Sequence, residues 1–477
     1  MATVRESSTA PIETANAQAP LTMELAHRVC AFRPNDLTEE MFIAARTAII
    51  DTIAVTLLGS CEDMVRIMRV TLGDGLAGPA SLIGSGESAS VLDATMVNGL
   101  ASHALDFDDF TQEFGGHPSV PIVAGLLALA QAQGASGREF VAAYVAGIET
   151  ESRIAAAVHF HHYEKGWHPT STLGVFGAAA SAAHLLKLDV EATSISLAIA
   201  ASFASGMKAN FGTYTKPLHV GHCARSGVHA ALLAQQGFTA NPFALEHKQG
   251  FFQLYNGEGN FDAERMLGEW FRPAIVCAPG ISLKQFACCG STHPAVYMAL
   301  RLRKQTNVDL ARVTRIDIAT HPRRLPHTNN PDPRTPFEAK FSMQYCVARA
   351  LQDGELMLKH FEGDALFEPQ LRKLMQCTHV SVDPQMAKSD DQSFGARVCV
   401  HLDDGTRVEE VVDHMPGRGA LHPMSESELR GKFMDCAQQA VPEAQAAELF
   451  DTLWQLDGVN DMRAIQALFG RQISFVA

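Results

Sequence analysis

The chain of 477 residues is 47% hydrophobic and 19% charged, which is enough apolar material for a large core and predicts two domains. Its formal net charge of -14, without any basic run, excludes a typical nucleic-acid-binding protein. The ten cysteines show no paired CxxC spacing, which indicates a reduced, cytoplasmic setting and not a disulfide framework. No strongly apolar run reaches transmembrane length, so no membrane partner is predicted.

The first part of the chain has the pattern of a helical domain. Residues 1–20 lack the apolar stretch of a signal peptide and are predicted to be a flexible tail. Thr38 is predicted to cap a helix that Gly59 ends, and Ser136 with Glu139 forms a capping-box pattern. Buried helices are predicted where Ala and Leu cover more than one helical face, at 120–132, 174–186 and 226–237.

The pattern changes after about Pro279. Strands are predicted from alternating apolar residues at 315–320, 379–382, 397–402 and 406–412, with a hairpin turn between the last two. Helical pattern occupies 342–351 and 367–374. The predicted fold is therefore mainly α, with an all-α domain over 21–279 and 416–477. A smaller α+β lid domain is predicted over 280–415, and the helical tail from Ser425 is expected to pack back on the first domain.

Five short segments gather histidine and lysine in an otherwise acidic chain. They are HALDFDDF from His103, GGHPS around His117, GWHPTST around His168, TKPLHVGHCARSG around Lys216 and LKQFACCGSTHP around Lys284. If the fold brings them together, they form a cationic pocket equipped for proton transfer. Such a pocket would hold a di- or tricarboxylate and remove a proton next to one of its carboxylates.

The first two segments combine three acids with an imidazole. A carboxylate from Asp106, Asp108 or Asp109 beside His117 would fix the imidazole tautomer and raise its basicity. The alternative is a solvated acidic helix end followed by a loop histidine. A divalent metal is not predicted, because the acids do not complete an EF-hand pattern.

The next two segments also allow two interpretations each. His159, His161 and His162 match no metal-ligand spacing and are predicted to form a polar surface turn, whereas His168 either binds a carboxylate at a helix N-terminus or caps that helix. Lys216 begins a compact cationic run that either faces an anion or forms a solvated helix face. In that run His219 and His222 would share one face of a helix.

The last segment and the AKFSMQY stretch add further candidates. Adjacent Cys288 and Cys289 offer either a nucleophilic thiol or small buried side chains. Tyr345 either donates a proton or orients a carboxylate, or is a helix residue half-buried at a domain interface. No GxGxxG after a strand, P-loop or GxSxG motif is present, so no cofactor is predicted.

From about Leu21 to about Leu468, the chain resembles the MmgE/PrpD family. The resemblance rests on six motifs that occur in this order: ALDFDD, HPS, GWH, TKPLHVG, KxFxCCGxxHP and AKFSMQY. That family includes 2-methylcitrate dehydratases, cis-aconitate decarboxylases and iminodisuccinate epimerases. The resemblance implies a large all-α domain, a smaller α+β lid, a homodimer and an active site between the domains. It also implies that no organic cofactor is needed.

By motif match, the resemblance implies catalytic roles for Asp106, His117, His168, Lys216, Lys284 and Tyr345, and substrate contacts from His219, His222, Cys289, Phe110 and Ser342. Animal cis-aconitate decarboxylases carry Thr at the position of Phe110 and His at that of Cys289. These two departures count against decarboxylase activity.

Together these observations predict an enzyme that abstracts a proton beside a carboxylate. Lys216 and Lys284 would bind carboxylates, and His168 and His117 would serve as base and acid. Asp106 would orient an imidazole. The leading expectation is dehydration of a 2-methylcitrate-like hydroxy acid, and epimerisation of iminodisuccinate or a similar acid is the alternative. Decarboxylation of cis-aconitate, or a non-catalytic carboxylate-binding protein, comes after these.

Overall fold

A computed structural model describes residues 20–73, 76–111, 113–306, 309–388, 395–413 and 419–470. Almost all of the predicted N-terminal tail lies outside these residues. Helices dominate the described chain and a small sheet lies in its C-terminal part, which confirms the mainly α class.

The first part of the chain is built from helices α1 (Leu21–Ala31), α2 (Glu39–Gly59), α3 (Asp63–Leu72), α4 (Val91–Ser102), α5 (Ser119–Gln133), α6 (Gly137–Val158), α7 (His161–Glu164), α8 (Pro169–Thr172), α9 (Gly174–Leu185), α10 (Val190–Phe203), α11 (Thr215–Gln235) and α12 (Phe251–Asn256). The predicted caps are confirmed, since the hydroxyl of Thr38 accepts from the backbone of Met41 and the Ser136–Glu139 capping box is complete. A short hairpin of β1 (Ala80–Leu82) and β2 (Glu87–Ala89) was not predicted.

Glycines let α4 and α11 cross at very short range. A Cβ placed on Gly99 would lie 2.8 Å from the Cα of Gly221, so no larger residue fits at this crossing. The loop after α4 and the first turn of α11 are thereby held side by side. The first carries Asp106 and the second carries Lys216.

The C-terminal part contains α13 (His293–Thr306), α14 (Pro336–Lys340), α15 (Met343–Asp353), α16 (Pro369–Gln376), α17 (Glu426–Ala437) and α18 (Glu443–Trp454), with strands β3 (Val313–Thr320), β4 (Thr378–Val382), β5 (Ala396–Leu402) and β6 (Arg407–Val412). The four strands form one sheet in the order β4-β3-β5-β6, in which only β3 and β4 are parallel. All four predicted strands and the predicted hairpin are confirmed. Helices α13 and α15 contact this sheet.

Buried apolar residues of both parts form one continuous cluster, which includes Ile50 of α2, Phe140 of α6 and Val347 of α15. The division into an all-α domain and a lid over 280–415 therefore stays a prediction. Helix α2 is long and apolar enough to cross a membrane, but 78% of its apolar window is buried inside the protein. A buried core helix meets the same criteria of length and composition.

The C-terminal tail packs back on the first helices, as predicted. Helix α17 contacts α2, and the ammonium of Lys432 lies 2.6 Å from Asp51 Oδ1, with both side chains buried. Burial raises the pKa of Asp51, and Lys432 opposes that rise. Lys432 also donates a 3.0 Å hydrogen bond to the carbonyl of Phe107. The tail thus holds the loop that contains Asp106.

Replacing Lys432 with Met should destabilise the protein by about 3–5 kcal/mol, because Asp51 would stay buried without its cation. Urea unfolding of the variant would measure this as a lower midpoint. In the double variant Asp51→Asn/Lys432→Met the loss should be smaller, since no uncompensated charge is left. A Lys432→Met protein as stable as the wild type would contradict the importance of this contact.

Candidate active site

A cavity of about 430 Å³ opens where the loop after α4, the starts of α8 and α11, and loops of the C-terminal part meet. Among the predicted site residues, those that line it are Asp106, Phe110, His117, His168, Lys216, Lys284 and Cys289. Predicted site residues as far apart in sequence as Asp106 and Cys289 are thereby brought to one place. The roles of these residues stay predictions, but the gathering of the five segments is a feature of the fold.

Asp106 joins two lysines from distant parts of the chain. Its Oδ1 lies 2.6 Å from Lys216 Nζ and its Oδ2 lies 3.0 Å from Lys284 Nζ, which also donates to the Asp106 carbonyl. Burial alone would raise the pKa of Asp106, but the two ammonium groups and nearby imidazoles hold it well below its ordinary value. Burial would lower the pKa of Lys284, yet the carboxylates of Asp106 and Asp108 raise it overall. Both partners therefore stay charged near neutral pH.

Asp108 is the carboxylate nearest to His117. Its Oδ2 lies 3.0 Å from His117 Nδ1 and 2.8 Å from His103 Nδ1, whereas Asp106 Oδ1 is 3.5 Å from His117 Nε2. Burial lowers the pKa of His103 to about 4, so its imidazole is neutral and donates to Asp108. The orienting role expected for Asp106 thus has a closer candidate in Asp108.

The alternative of a solvated acidic helix end is wrong for two of the three acids. Asp108 and Asp109 are fully buried. Asp109 accepts hydrogen bonds from the backbone and hydroxyl of Ser119, and the Ser119 hydroxyl lies 2.6 Å from that of Tyr144. Burial raises the pKa of Asp109 well above its ordinary value, and its hydrogen bonds from Ser119 give this carboxyl a structural role.

His168 is buried and neutral. Burial, together with His103, Lys216 and other imidazoles, lowers its pKa well below 6.5. Its Nδ1 lies 3.2 Å from Nδ1 of His219, and its ring packs edge-on against Phe211. His168 occupies the N-cap position of α8, as one of its two interpretations predicted, but its side chain makes no capping hydrogen bond. A neutral imidazole has a lone pair that can accept a proton, and the neighbouring cationic groups lower its basicity.

Four potential metal ligands lie close together, with ligand atoms within 4.8 Å of one another: His103, Asp106, Asp108 and His117. In the described chain, however, both oxygens of Asp106 face ammonium groups, those of Lys216 and Lys284. These two positive charges would repel a divalent cation. The lysines therefore account for the carboxylate without a metal.

Four predicted site residues are not among those that line the cavity. Tyr345 is fully buried and donates its hydroxyl to the carbonyl of His360. Ser342 caps α15 and donates a 2.6 Å hydrogen bond to Asn330 O, and His222 is exposed on α11. His219, one turn earlier on α11, reaches the site only through His168.

The predicted surface turn around His162 is also wrong for that residue. His162 is buried between Thr172, whose Oγ1 lies 2.7 Å from its Nε2, and Asn256, whose Oδ1 lies 3.0 Å from its Nδ1. These contacts fix α7 against α8, directly after His168.

The sequence analysis missed two groups of lining residues. Phe160, Tyr163 and Phe211 join Phe110 as aromatic lining, and no spacing in the sequence reveals them. Arg323 and Arg324 line the cavity from the loop after β3. Two adjacent arginines shortly after a predicted strand are the sequence pattern that indicates them.

Comparison with known proteins supports the resemblance over most of the chain. Residues 23–264 match the MmgE/PrpD N-terminal domain, and residues 286–456 match the MmgE/PrpD C-terminal domain. The chain belongs to the MmgE/PrpD family.

Relatives with named activities include two mammalian proteins and a fungal one. The chain is 27% identical over 470 residues to cis-aconitate decarboxylase of Mus musculus, covering 94% of this chain and 93% of the mouse protein. It is 27% identical to cis-aconitate decarboxylase of Homo sapiens over 470 residues, or 94% of each chain. Similarity to alkylcitrate dehydratase phiI of a fungal species is 26% over 223 residues, or 44% of this chain and 43% of that protein.

The lowered pKa of His168 predicts the acid limb of the rate profile. A base with a depressed pKa stays neutral as pH falls through 6.5, so kcat/KM should decline only well below pH 6.5. Lys216→Met removes one cause of the depression and should move the limb towards higher pH. The experiment measures kcat/KM between pH 4.5 and 8, either for turnover of the substrate or for exchange of deuterium into it. A wild-type limb centred at or above 6.5 would contradict the assignment of His168 as base.

Proposed function

We propose that the chain abstracts a proton beside a carboxylate of a citrate-like tricarboxylate and eliminates the neighbouring hydroxyl group as water. The observation that carries this proposal is the gathering of two ammonium groups and two imidazoles around one cavity of about 430 Å³. Lys216 and Lys284 supply positive charge, and His117 and His168 supply sites for protons. The names of the relatives, which act on cis-aconitate or alkylcitrate, support a substrate of this class.

The first step of the proposed reaction is removal of the proton from carbon. The ammonium groups of Lys216 and Lys284 attract the substrate carboxylate, on which negative charge grows as the C–H bond breaks. His168, neutral in the empty site, takes the proton. The cations favour the transition state more than the ground state, because the charge on the carboxylate is larger there.

The second step is loss of the hydroxyl group. The electron pair of the broken C–H bond forms the carbon–carbon double bond while the C–O bond breaks. His117 donates a proton to the leaving oxygen, so that water departs. Carboxylates beside both of its ring nitrogens, from Asp108 and Asp106, are placed to orient this imidazole. His168 takes up one proton and His117 releases one, so the proposed reaction is balanced without a cofactor.

The aromatic lining supports a substrate with an alkyl substituent, such as 2-methylcitrate. Phe110, Phe160, Tyr163 and Phe211 give the cavity apolar lining surface that a citrate molecule alone would not use. Burying a methyl group there would stabilise the complex by about 0.8 kcal/mol.

Homodimer formation and a cytoplasmic location also stay predictions.

Decarboxylation of cis-aconitate is the second candidate. It is favoured by relatives of that name that align with 94% of the chain. Against it, Phe110 and Cys289 both line the cavity at the two positions where the animal decarboxylases carry Thr and His. Lys216 and Lys284 would also stabilise the carbanion that forms when CO2 leaves. The two reactions would therefore use the same cations and differ in the other residues that line the cavity.

Proton NMR of the purified protein in heavy water should show an alkene product from 2-methylcitrate. The protein is incubated separately with 2-methylcitrate, cis-aconitate and iminodisuccinate. Loss of CO2 from cis-aconitate, without dehydration of 2-methylcitrate, would move the chain to the decarboxylase branch. Deuterium entry and stereochemical scrambling of iminodisuccinate alone would establish an epimerase.

Lys216→Ala should lower kcat/KM at least about 100-fold, because one of the two charges at the growing carbanion is lost. Lys359→Ala is the matched control, since that lysine is exposed and pairs with Glu355 on the surface. Circular dichroism and size-exclusion chromatography should show both variants folded as the wild type is. Turnover of Lys216→Ala at the wild-type rate would refute the proposed role of this lysine.

A further inference from the structure

His103 is buried beside the two imidazoles that the proposed reaction uses, and that reaction gives it no role. Its exposed fraction is 1%, and it is not among the residues that line the cavity. The centroid of its ring lies 4.6 Å from that of His117, in an edge-on arrangement, and 5.8 Å from that of His168, in a stacked one. Because His103 does not line the cavity, it can affect a bound substrate only through its neighbours.

His103 holds the acidic loop at two points. It directly follows α4, one helical turn after Gly99 of the close helix crossing. Its carbonyl accepts a 3.3 Å hydrogen bond from the backbone of Asp106, and its Nδ1 lies 2.8 Å from Asp108 Oδ2. Both contacts therefore begin at a helix end that the crossing of α4 and α11 fixes.

Asp108 passes this constraint on to His117. The same oxygen, Oδ2, lies 2.8 Å from His103 Nδ1 and 3.0 Å from His117 Nδ1. Asp108 Oδ1 is buried and has no hydrogen-bond partner among the described residues. Burial would raise the pKa of Asp108, but His103 and His117 hold it well below its ordinary value, so the carboxylate stays ionised. Without the N–H of His103, this carboxylate would lose the hydrogen bond that fixes its orientation.

We propose that His103 is a positioning residue, which fixes the ring of His117 through the carboxylate of Asp108. The proposal rests on the proposed function for the role of His117 as the acid. With its Nδ1 held by Asp108, His117 has Nε2 left to give a proton to the leaving oxygen, on the side of Asp106. A neutral His103 suits this role, because it donates a hydrogen bond without adding a positive charge beside the acid.

Variants of His103 separate positioning from a merely structural role. His103→Leu should lower kcat roughly 10- to 100-fold and leave KM nearly unchanged, since the ring of His117 loses its alignment. His103→Asn should recover most of kcat, because the amide nitrogen of Asn takes the place of Nδ1, whereas His103→Gln carries its amide one bond further out and should not. In an Asp108→Asn background, His103→Leu should cost little more, since the two residues act in series.

The matched control is His184→Leu. His184 is a half-buried histidine outside the cavity lining, and its Nε2 lies 3.0 Å from the carbonyl of Phe32. This variant should lose stability in urea unfolding and keep the wild-type kcat. A structural role for His103 predicts the same loss of kcat in His103→Asn and His103→Gln, and that result would overturn the proposal.

Proton NMR of the resting protein tests the same contacts without turnover. The wild type should show two low-field imidazole N–H resonances that disappear in Asp108→Asn. His103→Leu should lose both, and His103→Asn should keep the one that belongs to His117. Survival of the His117 resonance in His103→Leu would also overturn the proposal. If that variant fails to fold, His103→Asn and His103→Gln give the same comparison. The expected resonances in a protein that dehydrates none of the acids would support the positioning of His117 and refute the proposed reaction.

Discussion

The structure depends on how the carboxylate of Asp106 is balanced by two ammonium groups. An isolated charge in such a half-buried place would be costly, and each lysine alone would be desolvated without a partner. Together they form a cluster that joins the loop after α4, the first turn of α11 and the loop before α13. The imidazoles of His117 and His168 lie beside this cluster.

Contacts outside the cavity lining hold the residues of this cluster in position. The glycine crossing of α4 and α11 sets the distance between the backbones that carry Asp106 and Lys216, and Lys432 holds the carbonyl of Phe107 from the C-terminal tail. Preorganised charges of this kind need no rearrangement as negative charge develops on a substrate. The large helical core therefore contributes to chemistry by fixing distances, as well as to stability.

Local structure could be predicted from the sequence, whereas the positions of residues that come together from distant parts of the chain could be predicted only in part. Caps at Thr38 and Ser136 and the strands of the sheet follow from hydrogen bonding and side-chain alternation within a few residues. The gathering of the five segments followed from a family resemblance and not from spacing. Tyr345 and Ser342 lie outside the lining because packing against His360 and Asn330 uses their hydroxyls, which no local pattern reveals. The sequence could not choose Asp108 over Asp106 as the nearer partner of His117, and it did not reveal the aromatic lining, since only tertiary contacts give these residues their neighbours.

The contact between His168 and His219 limits how many protons the two imidazoles can bind. The two Nδ1 atoms, 3.2 Å apart, can share one hydrogen, so one ring donates while the other presents a lone pair. When His168 gains a second proton on its remaining nitrogen, His219 must stay unprotonated at the shared contact. A further proton would place two N–H groups head to head and break the pair. The two rings can therefore take up only one additional proton as a pair while this contact is kept.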